Sequence, residues 1–150
     1  MELPRLNIPE ADLRIFERDD ETYVWDDFRK KDILLTGEEW VRQHFLHLLV
    51  NHLDYPKSWI RVESGLSYYK KKKRSDIQVL KTDGTAFLLI ECKSASVKLD
   101  RHALTQLSLY NQSLKAEYVA VTNGMKHFFW HFDLAGSDYT PMSEPPNYPR

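Results

Sequence analysis

The chain has 150 residues, 42% of them hydrophobic and 29% charged, with a net charge of −1 and a single cysteine. That composition fits one globular domain able to bury a core without staples, and it excludes an overall polycation drawn to any nucleic acid. No run approaches the roughly 18 apolar residues of a membrane span, no basic-then-apolar leader opens the sequence, and one cysteine cannot form an internal disulfide, so a reducing, cytoplasmic setting is expected.

Residues 1–35 are polar, with LRIFER and TYVWDD on either side of an acidic turn at Asp19 to Glu21, and are expected to form a peripheral N-terminal extension or hairpin. Thr36-Gly37-Glu38-Glu39 has the form of a capping box, a threonine N-cap answered by a glutamate three residues on. The helix it starts should reach about Leu53, since Val41, Phe45, Leu48, Leu49 and His52 recur at helical spacing and Asp54-Tyr55-Pro56 ends it. Trp59 to Glu63 and Leu66 to Tyr69 read as strand material around Gly65, followed by five consecutive basic residues, Lys70, Lys71, Lys72, Lys73 and Arg74.

Ile77 to Leu80 and Ala86 to Cys92 are two further strands joined at Asp83-Gly84, a strong hairpin signal because a type I′ turn needs positive φ at both central residues. Asp100 can cap a second helix to about Leu114, with Leu104, Leu107 and Leu114 among its buried positions. Glu117 to Thr122 and the aromatic run His127 to Asp133 form two more strands around Asn123-Gly124, and a Pro-rich tail, expected to be extended or disordered, closes the chain. The order is helix, three strands, helix, two strands. It predicts an α/β fold with a mixed sheet covered by helices on both faces, bounded at 36–135 between the extension and a tail at 136–150. The glycines form neither a Walker A loop nor a dinucleotide fingerprint.

With Asp83 and Gly84 at the centre of the turn, Thr82 faces Thr85, Leu80 faces Phe87, Ile77 faces Ile90 and Asp76 faces Glu91. Opposed side chains share a sheet face about 4.5–5.5 Å apart, and two like charges there need an offset that a divalent cation can supply. Lys93 points to the same face as Glu91, while Cys92 points away. Hard carboxylate oxygens suit Mg²⁺ or Mn²⁺, which can activate water for attack at phosphorus, with Lys93 orienting the water or stabilising the transition state. The competing reading is a solvated strand end with Glu91 and Lys93 paired. Against it, Phe87 to Ile90 is continuously apolar, as in a strand buried on both faces. An odd-length turn loop without a compensating bulge would put Asp76 and Glu91 on opposite faces.

An Asp opening one strand and Glu-x-Lys ending the next, between two helices, resembles the PD-(D/E)XK phosphodiesterase superfamily. More closely, LTGEEWVRQHFLHLL, KKRSDIQVL, LLIECKS and VTNG resemble the N-terminal nuclease-like domain of type I restriction enzyme R subunits, over roughly residues 34–133. The resemblance implies a restriction-endonuclease-like three-layer core and Mg²⁺- or Mn²⁺-dependent DNA cleavage, with Asp76 and Glu91 as metal ligands and Lys93 as the catalytic lysine. Ser75 stands where the name-giving proline would be, and the helicase motor of the R subunits has no counterpart here, so translocation is not implied.

Gln106 and Tyr110 lie on one face of the second helix and match the Gln-x-x-x-Tyr motif that supports the site or contacts DNA in these nucleases. Glu39 is a possible further ligand, although the capping box already explains it, and Glu38 can pair with Arg42. Lys71, Lys72, Lys73 and Arg74 can neutralise DNA phosphates, with Tyr68 and Tyr69 stacking on bases. His44 and His47 have metal-compatible spacing but no obvious third ligand. Phe128, Trp130 and Phe132 suit core packing or a homodimer face. The expected partners are DNA and subunits of a restriction or defence complex. The rival to cleavage is a nucleic-acid-binding or partner-binding module that does not cut.

Overall fold

The computed structural model describes residues 3–62 and 76–150. The expected strand at Leu66 to Tyr69 and the basic run Lys70 to Arg74 lie outside the described residues. Within them the protein is a mixed α/β structure with two helices and two sheets.

The N-terminal segment forms an antiparallel meander, β1 (Ile15–Arg18), β2 (Glu21–Asp26) and β3 (Lys31–Leu34). Asp19 and Asp20 both have positive φ, 54° and 66°, and Arg18 pairs with Glu21, so the type I′ geometry occurs at this acidic turn. The residues that precede the meander reach the main core. Leu6 and Ile8 are buried in the main core, Asn7 N–H donates to Gly124 O (2.8 Å), and Trp40 Nε1–H donates to Pro4 O (2.8 Å).

α1 (Gly37–Asn51) starts as expected, with Thr36 Oγ1 accepting from Glu39 N–H (3.0 Å). Only this half of the capping box forms, because the Glu39 side chain turns inward to Arg29, Arg42 and Gln43. His52 caps the C-terminus and is exposed rather than part of the apolar face, and Asp54 takes the left-handed turn out of the helix with φ 60°. α2 (Arg101–Leu114) is capped by Asp100, which accepts from His102 N–H, and closes on Lys115 in the left-handed conformation. Leu107 is buried on α2 with Ala103 and Asn111, whereas Leu104 and Leu114 are half-buried.

The larger sheet runs β4 (Ile60–Val62), β5 (Ile77–Leu80), β6 (Ala86–Cys92), β7 (Tyr118–Thr122), β8 (His127–Asp133) and β9 (Asp138–Met142), in that spatial order. β6 and β7 are parallel and are joined through α2; the other neighbours are antiparallel. Leu88, Ile90 and Cys92 pack in the core that contains Val41, Phe45 and Leu49 of α1, and Leu89 packs in the core that contains Ala103 and Leu107 of α2. A strand covered on both faces needs a continuous apolar run, which β6 has.

The central hairpin differs from the expected two-residue turn. Gly84 N–H donates to Lys81 O (2.9 Å) and Lys81 N–H to Thr85 O (2.8 Å), so Thr82 and Asp83 are the central residues and only Gly84 has positive φ, 88°. A type I turn closed by a left-handed glycine makes a three-residue loop. Leu80 therefore faces Ala86, Val79 faces Leu88, and Phe87 is the extra residue of a bulge. The bulge cancels the odd loop length and restores the expected pairing of Ile77 with Ile90. Phe87 is not lost from the core: its ring centroid lies 6.2 Å from that of Tyr55 and 5.6 Å from that of Tyr148.

The tail is ordered. β9 adds an edge strand that tolerates Pro141, Tyr55 Oη–H donates to Pro146 O (2.6 Å), and buried Tyr148 donates through its hydroxyl to Leu80 O (2.8 Å). Proline removes backbone donors but not acceptors, so tyrosine hydroxyls can fasten an extended proline-rich strand.

Candidate functional site

β6 ends in Glu91, Cys92 and, immediately after it, Lys93. Alternation puts Glu91 on the α2 side and Cys92 on the α1 side. Lys93 Nζ lies 3.2 Å from Glu91 Oε2, the lysine being 23% exposed and the glutamate 7%. The two side chains are paired, as the competing reading of a strand end expected, but with the glutamate buried rather than solvated.

Asp76 is not the direct cross-strand partner of Glu91. It lies just before β5, and its N–H donates to Ile90 O (2.9 Å), the residue that Ile77 pairs with. Its Oδ2 accepts from Cys92 N–H (2.6 Å) and its Oδ1 accepts from Arg42 Nη2–H (2.8 Å). Asp76 and Glu91 thus flank Cys92, one through its backbone and one as its chain neighbour. Burial pushes the Cys92 thiol well above its ordinary pKa, and the nearby charge of Asp76 adds to the effect, as that of Glu91 does more weakly, while Arg42 opposes it.

Arg42 belongs to a chain of alternating charges that crosses the interior. Buried Asp26, at the end of β2, accepts from Arg29; Arg29 Nη2–H also donates to Glu39 Oε2 (2.6 Å). Glu39 accepts from Gln43 Nε2–H (2.9 Å) and from Arg42, whose Nη2 reaches both Glu38 Oε1 (2.7 Å) and Asp76. Burial disfavours the Arg42 charge, but Asp76 and Glu39 outweigh it and hold the guanidinium above its ordinary pKa. The two oxygens of Glu39 are thus already engaged by three donors. Sequence reasoning missed Asp26 and Arg29 and saw in Arg42 only a surface partner for Glu38. The signal was there in Glu38, Glu39, Arg42 and Gln43, four polar residues at i, i+3 and i+4 spacing on one side of a helix.

Glu38, at 45% exposure, opens onto a cleft of about 720 Å³ lined also by Gly37, Ser94 and Ser96. The cleft begins one residue after Lys93. On the other side of the sheet, Gln78 Nε2–H donates to Tyr110 Oη (3.0 Å), joining β5 to α2, and half-buried Gln106 lies one turn before Tyr110.

The donor chemistry at Asp76 and Glu91 fits a hard divalent ion. Each oxygen of Asp76 accepts one bond from the groups named and retains acceptor capacity. Among the described residues, no group of three or more His, Cys, Asp and Glu side chains converges as a metal cage, so substrate or water oxygens would have to complete the shell. The histidine pair has packing roles: His44 Nδ1 is 2.9 Å from Trp40 O, its ring packs on Trp40, and His47 packs edge-on to Phe28. Phe132 is buried against Tyr139, whereas Phe128 and Trp130 line a shallow apolar groove with Leu99, Leu104 and Val121. No helix among the described residues is long and apolar enough to cross a membrane.

A family model for the type I restriction enzyme R protein N terminus matches residues 37–146. The matched span runs from the first residue of α1 into the docked tail and leaves out β1 to β3. No curated protein matches the chain significantly.

Proposed function

The chain belongs to the family of the type I restriction enzyme R protein N terminus, which associates it with restriction-modification, and from that premise we propose that it is a Mg²⁺- or Mn²⁺-dependent DNA endonuclease domain of the PD-(D/E)XK type. The observation that carries this reading is the Glu91–Lys93 pair, 3.2 Å apart, at the end of a strand otherwise buried on both faces, with Asp76 at the adjoining strand end. A carboxylate and an ammonium group here have a chemical use that a solvated strand end does not require.

Asp76 and Glu91 would hold the ion, which supplies concentrated positive charge to a phosphodiester and its attacking water. Glu91 also holds Lys93 in place. Lys93, still partly exposed, is positioned to donate to the attacking water or to a phosphate oxygen as negative charge grows. Cys92 N–H fixes the Asp76 carboxylate, so its geometry is set by backbone. Gln78 orients the Tyr110 hydroxyl, and Gln106 and Tyr110 support the site or contact DNA from α2. The cleft beside Glu38 and Ser94 gives the nucleic acid an approach. Lys71, Lys72, Lys73 and Arg74, outside the described residues, would supply phosphate contacts. A restriction role places the protein in the cytoplasm beside the other subunits of such a complex.

The test is cleavage of supercoiled plasmid by wild-type protein, Glu91→Ala and Lys93→Ala in Mg²⁺ and in Mn²⁺. Metal-dependent nicking or degradation that disappears in both variants is expected. No cleavage by folded wild-type protein in either metal overturns the reading. One observation favours a second function: Arg42 already neutralises Asp76, as in a domain that binds DNA or a partner subunit without cutting. That alternative requires salt-sensitive DNA binding that survives Glu91→Ala and weakens when Lys71 to Arg74 are neutralised.

A further inference from the structure

α1 places Arg42 one turn beyond Glu38 and Glu39, with its side chain 10% exposed. Nη1 donates to Glu39, while Nη2 lies 2.7 Å from Glu38 Oε1 and 2.8 Å from Asp76 Oδ1. One nitrogen therefore bridges the helix acid that faces the cleft and the carboxylate just before β5. We propose that Arg42 is a built-in counter-cation: its guanidinium fills the point between Glu38 and Asp76 that a divalent ion shared by them would take, so an ion enters on the Glu91 side of Asp76 and Glu38 does not ligate it.

This rests on the metal-dependent reading above and adds to it which acids are excluded from coordination and why. Mg²⁺ takes its oxygens at about 2.0–2.1 Å, so Glu38 and Asp76, already within reach of a single nitrogen, need only close slightly to hold an ion in its place. Two things prevent that. The site is occupied by a fixed positive charge, and that charge is anchored from behind: Glu39 holds Arg42, Arg29 holds Glu39, and Asp26 holds Arg29. Arg42 cannot swing aside without taking the donor from buried Glu39 Oε1, since Arg29 and Gln43 hold only Oε2. The anchor comes from the turn after β2, so the N-terminal meander, outside the matched family span, takes part in defining the site.

A merely structural arginine would weaken metal binding when removed, because the acids around it would lose their geometry. A counter-cation has the opposite sign. Isothermal titration of the full chain with MnCl₂ separates them, with circular dichroism confirming the fold of each variant. Arg42→Gln is expected to bind Mn²⁺ about tenfold or more tighter than wild type, since a unit positive charge within a few ångströms of the ion is removed. Adding Glu38→Gln to it should return the affinity to the wild-type value, whereas Glu38→Gln alone and Arg42→Lys should leave it within about twofold. Because Arg42→Gln leaves Glu39 with one partner fewer, Arg42→Gln/Glu39→Gln is the companion that removes the stranded charge, and the same tightening is expected. If wild type binds one ion but neither Arg42 variant binds more tightly, or if Glu38→Gln alone weakens binding severalfold, the counter-cation assignment is overturned and the metal reading stands. If neither wild type nor the Arg42 variants bind Mn²⁺, both fall.

Discussion

Removing Arg29 should be far more damaging than removing Lys57, although each cation pairs with an acid at the turn after β2. Arg29 is 10% exposed and sits between Asp26, fully buried, and Glu39, 4% exposed. Arg29→Met removes the counter-ion of buried Asp26 and leaves Glu39 with Arg42 alone, a break that costs about 3–5 kcal/mol. For a protein of this size that corresponds to a fall in Tm of about 6–20 °C. Lys57 and Asp27 are 40% and 48% exposed, so Lys57→Ala removes a solvent-screened pair and should cost less than about 1 kcal/mol. Burial, not charge count, is the difference between them. Urea unfolding at pH 7 in low and in 0.5 M salt reads both quantities: the Lys57→Ala effect should shrink with salt and the Arg29→Met effect should persist. Adding Asp26→Asn and Glu39→Gln should recover part of the Arg29→Met loss. Equal costs for the two single variants, or an Arg29→Met cost below about 1 kcal/mol, would refute the reasoning.

Three further outcomes are expected. Gly124→Ala should lower stability by about 2–5 kcal/mol in thermal or urea unfolding, because φ at 86° disfavours a side chain and the new Cβ would lie 2.7 Å from Leu6 Cδ2 and 3.1 Å from Val41 Cγ2; a neutral substitution would show that the N-terminal segment does not pack there. Tyr148→Ala should cost about 3–5 kcal/mol and Tyr148→Phe, which strands only the Leu80 carbonyl, about 1–3 kcal/mol, and limited proteolysis of the tail should accelerate in the same order. Burial, with the charge of His44 adding, holds His47 below its ordinary pKa of 6.5, so the unfolded chain takes up a proton there more readily. The stability this contributes is full above pH 6.5 and is lost as pH falls towards the folded-state value; unfolding free energies measured from pH 7.5 down to 5 should show that fall, and His47→Gln should flatten it.

The elements were legible because their signals are local. Thr36 and Asp100 accept from helix N–H groups as caps should, and the unbroken apolar run of β6 marks a strand covered on both faces. The hairpin was legible in its register but not in its turn. Thr82-Asp83-Gly84 accommodates both a two-residue and a three-residue loop in sequence, and only the bulge at Phe87 decides between them; that bulge is set by a core pocket formed with Tyr55 and Tyr148, the latter 61 residues further on. The docking of the tail, read as extended or disordered, was hidden for the same reason. Proline content argues against helix, but the hydroxyls that fasten Pro146 and Leu80 come from tyrosines far apart in the chain.

At the site, Glu91 and Lys93 could be paired from strand alternation alone. The placement of Asp76 could not, because it depends on a backbone bond to Ile90, on the Cys92 N–H and on an arginine from α1. The alternating chain from Asp26 to Asp76 was hidden because its members are spread over β2, the following turn, α1 and the start of β5, and no spacing rule links residues across separate elements.

In the proposed mechanism Asp76 and Glu91 share a divalent ion beside Lys93. Diffraction from crystals of the full chain soaked in MnCl₂, recorded to show the anomalous signal of manganese, tests it most directly. One peak within coordinating distance of both the Asp76 and Glu91 carboxylates, with Arg42 still on Glu38, is the predicted result. A peak between Glu38 and Asp76 in the place of Arg42, or a well-ordered site with no manganese at saturating concentration, would contradict it.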